Sequence, residues 1–225
     1  MSPEDANPVI IEASELIRVK MNKTVLEIAT ENADDYMWND DYPNNTAMIT
    51  LLDVALVKGN RWDIVIHTLE KFSESHRDIS LASFPEVVKV TPKRRFIETW
   101  FFQDLKRFTI VERLAARFVK YQEDNMIGTE LEAMQDWAKV YMGTDGWPDP
   151  KSDELLSGIS GLDVVDTQYL LMRLGIRTLK PDNRLRSVFR NLEIPFDDDI
   201  DLVKKGHEVA YLLGIDPLVL DQLFW

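Results

Sequence analysis

The chain has 225 residues, 45% of them hydrophobic, with 26 Lys plus Arg against 39 Asp plus Glu and a formal net charge of −13. That length and apolar share support a sizeable core and exclude a disordered chain, while the acidic balance argues against indiscriminate binding of polyanions. The absence of cysteine excludes disulfides, thiolate nucleophiles, cysteine-ligated zinc and iron–sulfur clusters held by thiolates. No apolar run approaches the roughly 20 residues of a membrane-spanning helix, and MSPEDANPVI lacks the basic-then-apolar order of a secretory signal, so a cytoplasmic protein is expected.

Apolar periodicity points to helices along the whole chain. VLEIATENADDY opens as a helix before an acidic tail, and AMITLLDVALV and NRWDIVIHTLEKF follow with the same period. In TWFFQDLKRFTIVERLAARFVKYQ, Phe101, Leu105, Phe108, Val111, Leu114 and Phe118 recur at steps of three or four, with Arg113, Arg117 and Lys120 on another face. ELEAMQDWAKVYM and VVDTQYLLMRL complete the series. Pro, Gly, Asn and Asp interrupt the pattern at YPNN, TPKRR, GTDGWPDP, the Gly158–Asp163 turn, LKPDN and EIPFDDD. No alternating strand of useful length occurs, so the fold class expected is all-α. His67, His76 and His207 lie far apart with no ligand spacing, and no metal site or cofactor is expected.

Charge is segregated along the chain. Six basic residues and one acid lie between Arg173 and Arg190, and nine basic residues and three acids between Lys89 and Lys120. Acids collect elsewhere, six without a base between Glu27 and Asp41, and eleven against two bases between Tyr121 and Asp166. Such a distribution can turn one positive face to an anion, or it can be two ordinary solvated helix faces. LLSGISGLDVVDTQYLLMRLG reads as a helix, a tight turn and a second helix, and the turn at Gly161-Leu162-Asp163 offers backbone N–H groups to a phosphate. The loop IRTLKP then leads to Asp182 at the start of NRLRSVFRNL. An aspartate in that position is a good N-cap, and most such residues do nothing else.

Hairpin, loop and aspartate together resemble the helix-hairpin-helix (HhH-GPD) DNA glycosylase superfamily, whose hairpin reads roughly GxGxxTAxxLL and whose catalytic aspartate opens the next helix in a P-x-D or P-D context. LVKGNRWDIVIHTLEKF is similar to the LTQNTSWxNVxxAL segment of the endonuclease III branch, with Trp62 and Leu69 at its tryptophan and leucine. TWFFQDLKRFTIVERLAARFV resembles the segment GFYxxKAxRLxxLAxxI. The resemblance covers about Ala47 to Leu192 and implies a two-lobed helical fold. Residues 1–46 and 193–225 would form one lobe, and residues 47–192 the glycosylase core, with the hairpin at about 155–175 and the catalytic loop at 176–183. A substrate cleft would lie between the lobes.

The resemblance also implies residue roles. Asp182 would be the catalytic carboxylate, stabilising positive charge on the deoxyribose and orienting water. Lys58, Asn60, Gly161, Asp163, Val165, Arg184 and Arg186 would face DNA. Tyr36, Trp38, Trp100 and Phe101 would sandwich a flipped base, unless they are plain core.

Several positions depart from the family pattern. Asp163 replaces the second hairpin glycine; aspartate can adopt the left-handed backbone, but its carboxylate near a DNA phosphate should weaken docking. Val165 stands where bifunctional members carry a lysine, so a Schiff-base lyase step is not expected. Lys58 and Gly59 replace the wedge glutamine and asparagine, and no iron–sulfur cluster loop is present. The function expected is a monofunctional DNA glycosylase acting on double-stranded DNA as a monomer. It would leave an abasic site, in base-excision repair or in defence against foreign DNA with modified bases. The competing expectation is a non-catalytic helix-hairpin-helix module that binds DNA or protein.

Overall fold

The structure is a computed structural model that describes residues 24–35, 46–143 and 148–224. These residues form eleven α-helices and one 3₁₀ turn, with no strand, as the periodicity predicts. None of these helices is long and apolar enough to cross a membrane. The chain forms two compact units, one from residues 1–39 with 167–225 and one from residues 40–166.

In the continuous unit, α2 (Ala47–Val57) is the central element. Every residue from Ala47 to Leu56 is buried, Thr50 and Asp53 included, in keeping with a helix that is apolar around most of its circumference. Thr46 caps its start by accepting the Ile49 N–H. Around it pack α3 (Trp62–Ser75), α6 (Leu105–Asp124) and α7 (Glu130–Gly143), each through one apolar stripe. The short helices α4 (Phe84–Val90) and α5 (Lys93–Trp100) pair with each other, and α4 also meets α6. Phe72, Phe84, Phe96, Phe101 and Phe108 interlock here, several of them edge to face.

Two sequence expectations change in this unit. The periodic stretch from Thr99 to Gln122 is interrupted, because Phe102 (φ 51°) and Gln103 (φ 64°) are left-handed and end α5 before Asp104 caps α6. The helix expected before the hairpin turn is a single turn. Asp153 Oδ1 takes the N–H groups of Leu155 and Leu156, and Gly158 (φ 71°) closes the segment soon after. Arg117 and Arg113 replace the missing helix, Arg117 donating to the carbonyls of Leu155 and Ser157 and Arg113 to that of Gly158.

The chain leaves this unit within α8 (Val164–Arg173). In the other unit, α1 (Val25–Asp35) packs on α11 (Pro217–Leu223), which also meets α10 (Asp199–Leu213). Ala29, Ala33, Leu218, Val219 and Met172 of α8 form the shared apolar cluster, with Leu26, Ile215 and Leu223 against it. Because Met172 joins this cluster, the boundary between the units falls at 166/167 rather than at the 192/193 expected from sequence. α9 (Asn183–Asn191), with Asp182, therefore groups with the terminal segments.

Candidate functional site

Asp182 sits at the N-cap of α9 because the chain before it cannot be helical: Pro181 has no N–H, and the Asp182 N–H bonds back to the Lys180 carbonyl at 2.7 Å. Its Oδ1 accepts from the N–H groups of Arg184 (2.8 Å) and Leu185 (3.1 Å). Oδ2 lies 4.0 Å from Lys180 Nζ, and the side chain is about a quarter exposed, at 26%. The Lys180 ammonium itself stands 4.9 Å over the Tyr169 ring. One carboxylate oxygen is thus fixed by backbone, and the other faces a cation in a mostly covered position.

Asp221 of α11 is the second carboxylate of this region. It shares a shallow recess with Asp182, Arg184, Leu185 and Phe224, a space that does not enclose even a water-sized volume. Asp221 Oδ1 accepts the Lys180 N–H at 2.9 Å. Burial, with the nearby Asp182 charge acting in the same direction, pushes its carboxyl up to about 6. Its sequence signal was available: one acid among the apolar residues of PLVLDQL, on a helix with Leu218, Val219 and Leu220 buried.

The hairpin turn forms a separate group of predicted residues within the continuous unit. Gly161 takes φ 95°, and a Cβ there would meet Ile110 Cδ1 at 3.3 Å, so the turn needs glycine. Asp163 is not left-handed. It caps α8 reciprocally with Asp166, accepting the Asp166 N–H while Asp166 Oδ2 accepts the Asp163 N–H, each at 3.1 Å. Lys58 Nζ closes the group at 2.6 Å from Asp163 Oδ2 and 3.1 Å from Asp166 Oδ2.

The three charges set one another's protonation. Burial, then the Asp163 charge, pushes Asp166 up to about 6. Burial acts against the Asp163 charge as well, but the Lys58 hydrogen bond and the Asp166 N–H outweigh it and hold Asp163 below the usual carboxylate range. Lys58 loses solvation too, and its two carboxylates more than restore its charge.

Other predicted residues are committed to structure. Asn60 Nδ2 donates to the Leu56 carbonyl at 2.6 Å, closing the end of α2. Val165 is half-buried in the first turn of α8. Phe101 is fully buried in the aromatic core, so its ring has no face for a base, and Trp100 packs edge-on to Phe72 and His76. Tyr36 and Trp38 lie outside the described residues.

The basic island is largely neutralised from within. Arg173 is buried, Arg177 pairs with Asp34 and Asp216, and Arg186 is gripped in bidentate fashion by Asp199 at 2.8 Å to each oxygen. Arg184 is exposed at the start of α9, and Arg190 stands against the Phe196 ring. The Arg113 and Arg117 side of α6, read from sequence as a basic face, serves the Glu154–Gly158 turn instead. No family model, curated protein or solved structure matches this chain.

Proposed function

We propose that this protein is a monofunctional DNA N-glycosylase that hydrolyses the bond between a damaged or modified base and its deoxyribose, leaving an abasic site. The observation that carries the reading is the Asp182 carboxylate, held through Oδ1 by two backbone N–H groups and about a quarter exposed beside Lys180. As the N-glycosidic bond breaks, positive charge develops on the sugar. A fixed carboxylate stabilises that charge and orients a water for attack at C1′; the base departs with the bonding electrons, and the proton given up by the water passes through the carboxylate and solvent to the departed base.

Val165, in place of an amine, cannot form an imine with the sugar, so strand incision is left to alkali or a separate lyase. A tight turn at Gly158 and Gly161 leading into α8, followed by the Asp182 loop, is in keeping with the family resemblance. The setting in keeping with this reading is cytoplasmic, on duplex DNA, in base-excision repair or in defence against foreign DNA.

The test incubates the protein with duplexes carrying uracil, hypoxanthine, alkylated purines, oxidised purines or modified pyrimidines, and reveals abasic sites with alkali. Base release that disappears in Asp182→Asn supports the proposal. Asparagine is as good an N-cap, so the fold should hold to within a few tenths of a kcal/mol. One group of interactions favours the second reading, a non-catalytic binding module: Lys58, Arg113, Arg117 and Arg186 all engage groups of the protein itself. That reading expects no base release from any duplex and DNA binding indifferent to Asp182.

A further inference from the structure

We propose that Asp221 is the positioning residue for Asp182: from α11 it grips the backbone of Lys180, and through the Lys180–Asp182 turn it sets where the Asp182 carboxylate points. The inference rests on the reading of Asp182 as the glycosylase carboxylate.

The turn that carries Asp182 is three residues long. Its internal bond, from the Asp182 N–H to the Lys180 carbonyl, spans Pro181, which donates nothing. The Lys180 N–H is the outward-facing donor of this turn, and it goes to Asp221 Oδ1 at 2.9 Å. Asp182 Oδ1 then takes the Arg184 and Leu185 N–H groups, so the turn is fastened on the α11 side by Asp221 and on the α9 side by Asp182 itself. Asp221 is thus the fastening that Asp182 cannot supply for itself.

Asp221 is suited to this task because its own place is fixed independently. Leu218 and Val219 on the same short helix are packed into the cluster with Ala29 and Ala33 of α1 and Met172 of α8. Side chains as small as Ala29 and Ala33 let α11 approach α1 closely. A buried carboxylate without partners would be unfavourable, and this one bonds the Lys180 N–H and accepts weakly from Gln222 Nε2 at 3.3 Å. The charged groups acting on it are Lys180 and Asp182, and Arg184 lines the same recess. Burial raises its carboxyl to about 6, so at neutral pH the ionised form, the stronger acceptor, holds the turn.

Asp221→Asn keeps an acceptor oxygen at the same reach, whereas Asp221→Ala removes it. Three quantities are measured on the full chain: single-turnover base release on the duplex panel, affinity for a duplex containing a tetrahydrofuran abasic analogue, and hydrogen exchange of the Lys180 amide. Asp221→Ala should slow base release about 10- to 100-fold and expose the Lys180 amide to a similar degree. Its affinity for the abasic duplex should stay within about twofold, because the lost hydrogen bond is internal. Asp221→Asn should restore both the rate and the protection.

An Asn variant as slow as the Ala variant would mean that Asp221 moves a proton, and would overturn the positioning role. So would an Ala variant with an unchanged rate and a protected amide. If Asp221→Ala does not fold, Asp221→Glu replaces it, since the added methylene displaces the acceptor, and it should slow release without loss of fold. A wild-type protein that releases no base ends the glycosylase reading alone. The Lys180 amide, protected in wild type and Asn and exposed in Ala, still decides whether the clamp exists.

Discussion

Lys58 Nζ lies 2.6 Å from Asp163 Oδ2, so the residue after α2 and the cap of α8 are joined by an ion pair across 105 positions of sequence. The carboxylate occupies the place where a hairpin of the resembled family would offer bare N–H groups to a phosphate. Asp163→Gly should therefore remove one of the two carboxylate partners of Lys58 and the exposed charge at the turn, leaving Lys58 paired with Asp166 alone, at a capping cost of a few tenths of a kcal/mol. Duplex affinity should rise, and its logarithmic salt dependence should steepen by about 0.9 for each additional phosphate neutralised. Anisotropy titrations over a range of salt measure both. An unchanged slope would show that this turn does not meet DNA.

Arg184 and Arg186, two residues apart, should behave differently. Arg186 already spends its guanidinium on Asp199, a pair with side-chain exposures of 22% and 32%. Arg186→Ala should lower stability by about 1–2 kcal/mol with little change in salt slope. Arg184→Ala should reduce the slope by about 0.9. Urea unfolding and salt-dependent binding, on each single variant, separate the two roles.

His207 supplies an acid-sensitive element. Burial pushes its imidazole down to about 4, against a smaller opposing pull from Asp216. Thr178 Oγ1, 2.9 Å from Nε2, donates to Gln168 Oε1 and accepts from the ring. The folded-state value lies below the unfolded one, so the neutral ring's contribution is full above about 6.5 and is lost as pH falls toward 4, by on the order of 3 kcal/mol. Asp221 and Asp166, both raised to about 6, act in the opposite sense, contributing stability that is lost as pH rises through 6. In His207→Gln only the carboxylate trend should remain. Unfolding at pH 7 and pH 4.5 should then show a smaller loss, or a gain, on acidification relative to wild type.

Gly206 of α10 lies directly under Leu179, which is fully buried, and an added Cβ would collide with Leu179 Cδ2 and come within 3.0 Å of Cδ1. Alanine is the better helix former by about 1 kcal/mol, and overpacking costs about 1–3 kcal/mol. Gly206→Ala is therefore expected to destabilise by up to roughly 2 kcal/mol, and to slow base release because Leu179 precedes the Lys180–Asp182 turn. A thermal melt at or above that of wild type would contradict this.

Much of the helical plan was legible because each helix carries its own apolar period, and α2, apolar but for Thr50 and Asp53, announces a buried helix unaided. The break at Phe102 and Gln103 was not legible: no glycine or proline marks it, and the period runs on through it. The single turn before the hairpin was misread because Leu155, Leu156 and Ile159 look helical. The Asp153 cap and the left-handed Gly158 are what limit its length. At the site, Asp182 and its capping role could be read from K-P-D-N. Lys58, Arg113, Arg117 and Arg186 could not be assigned, since a cation's sequence neighbours do not reveal which distant carboxylate or carbonyl it meets. Asp221 was visible as an acid in an apolar helix, and only its bond to Lys180 gives it a task.

The cluster of Ala29 and Ala33 with Leu218 and Val219 also orders the events of synthesis. Residues 40–166 are contiguous and can collapse as they emerge, but α1 lacks its α11 packing partner until α11 itself has been made. At about 5–20 residues per second, that interval is roughly 10–40 s. A helix of 11 residues is marginal in water on its own. Though α1 is the earliest of these eleven helices to be made, it is among the last to become permanent, when α11 arrives and brings Asp221 to the Lys180 turn.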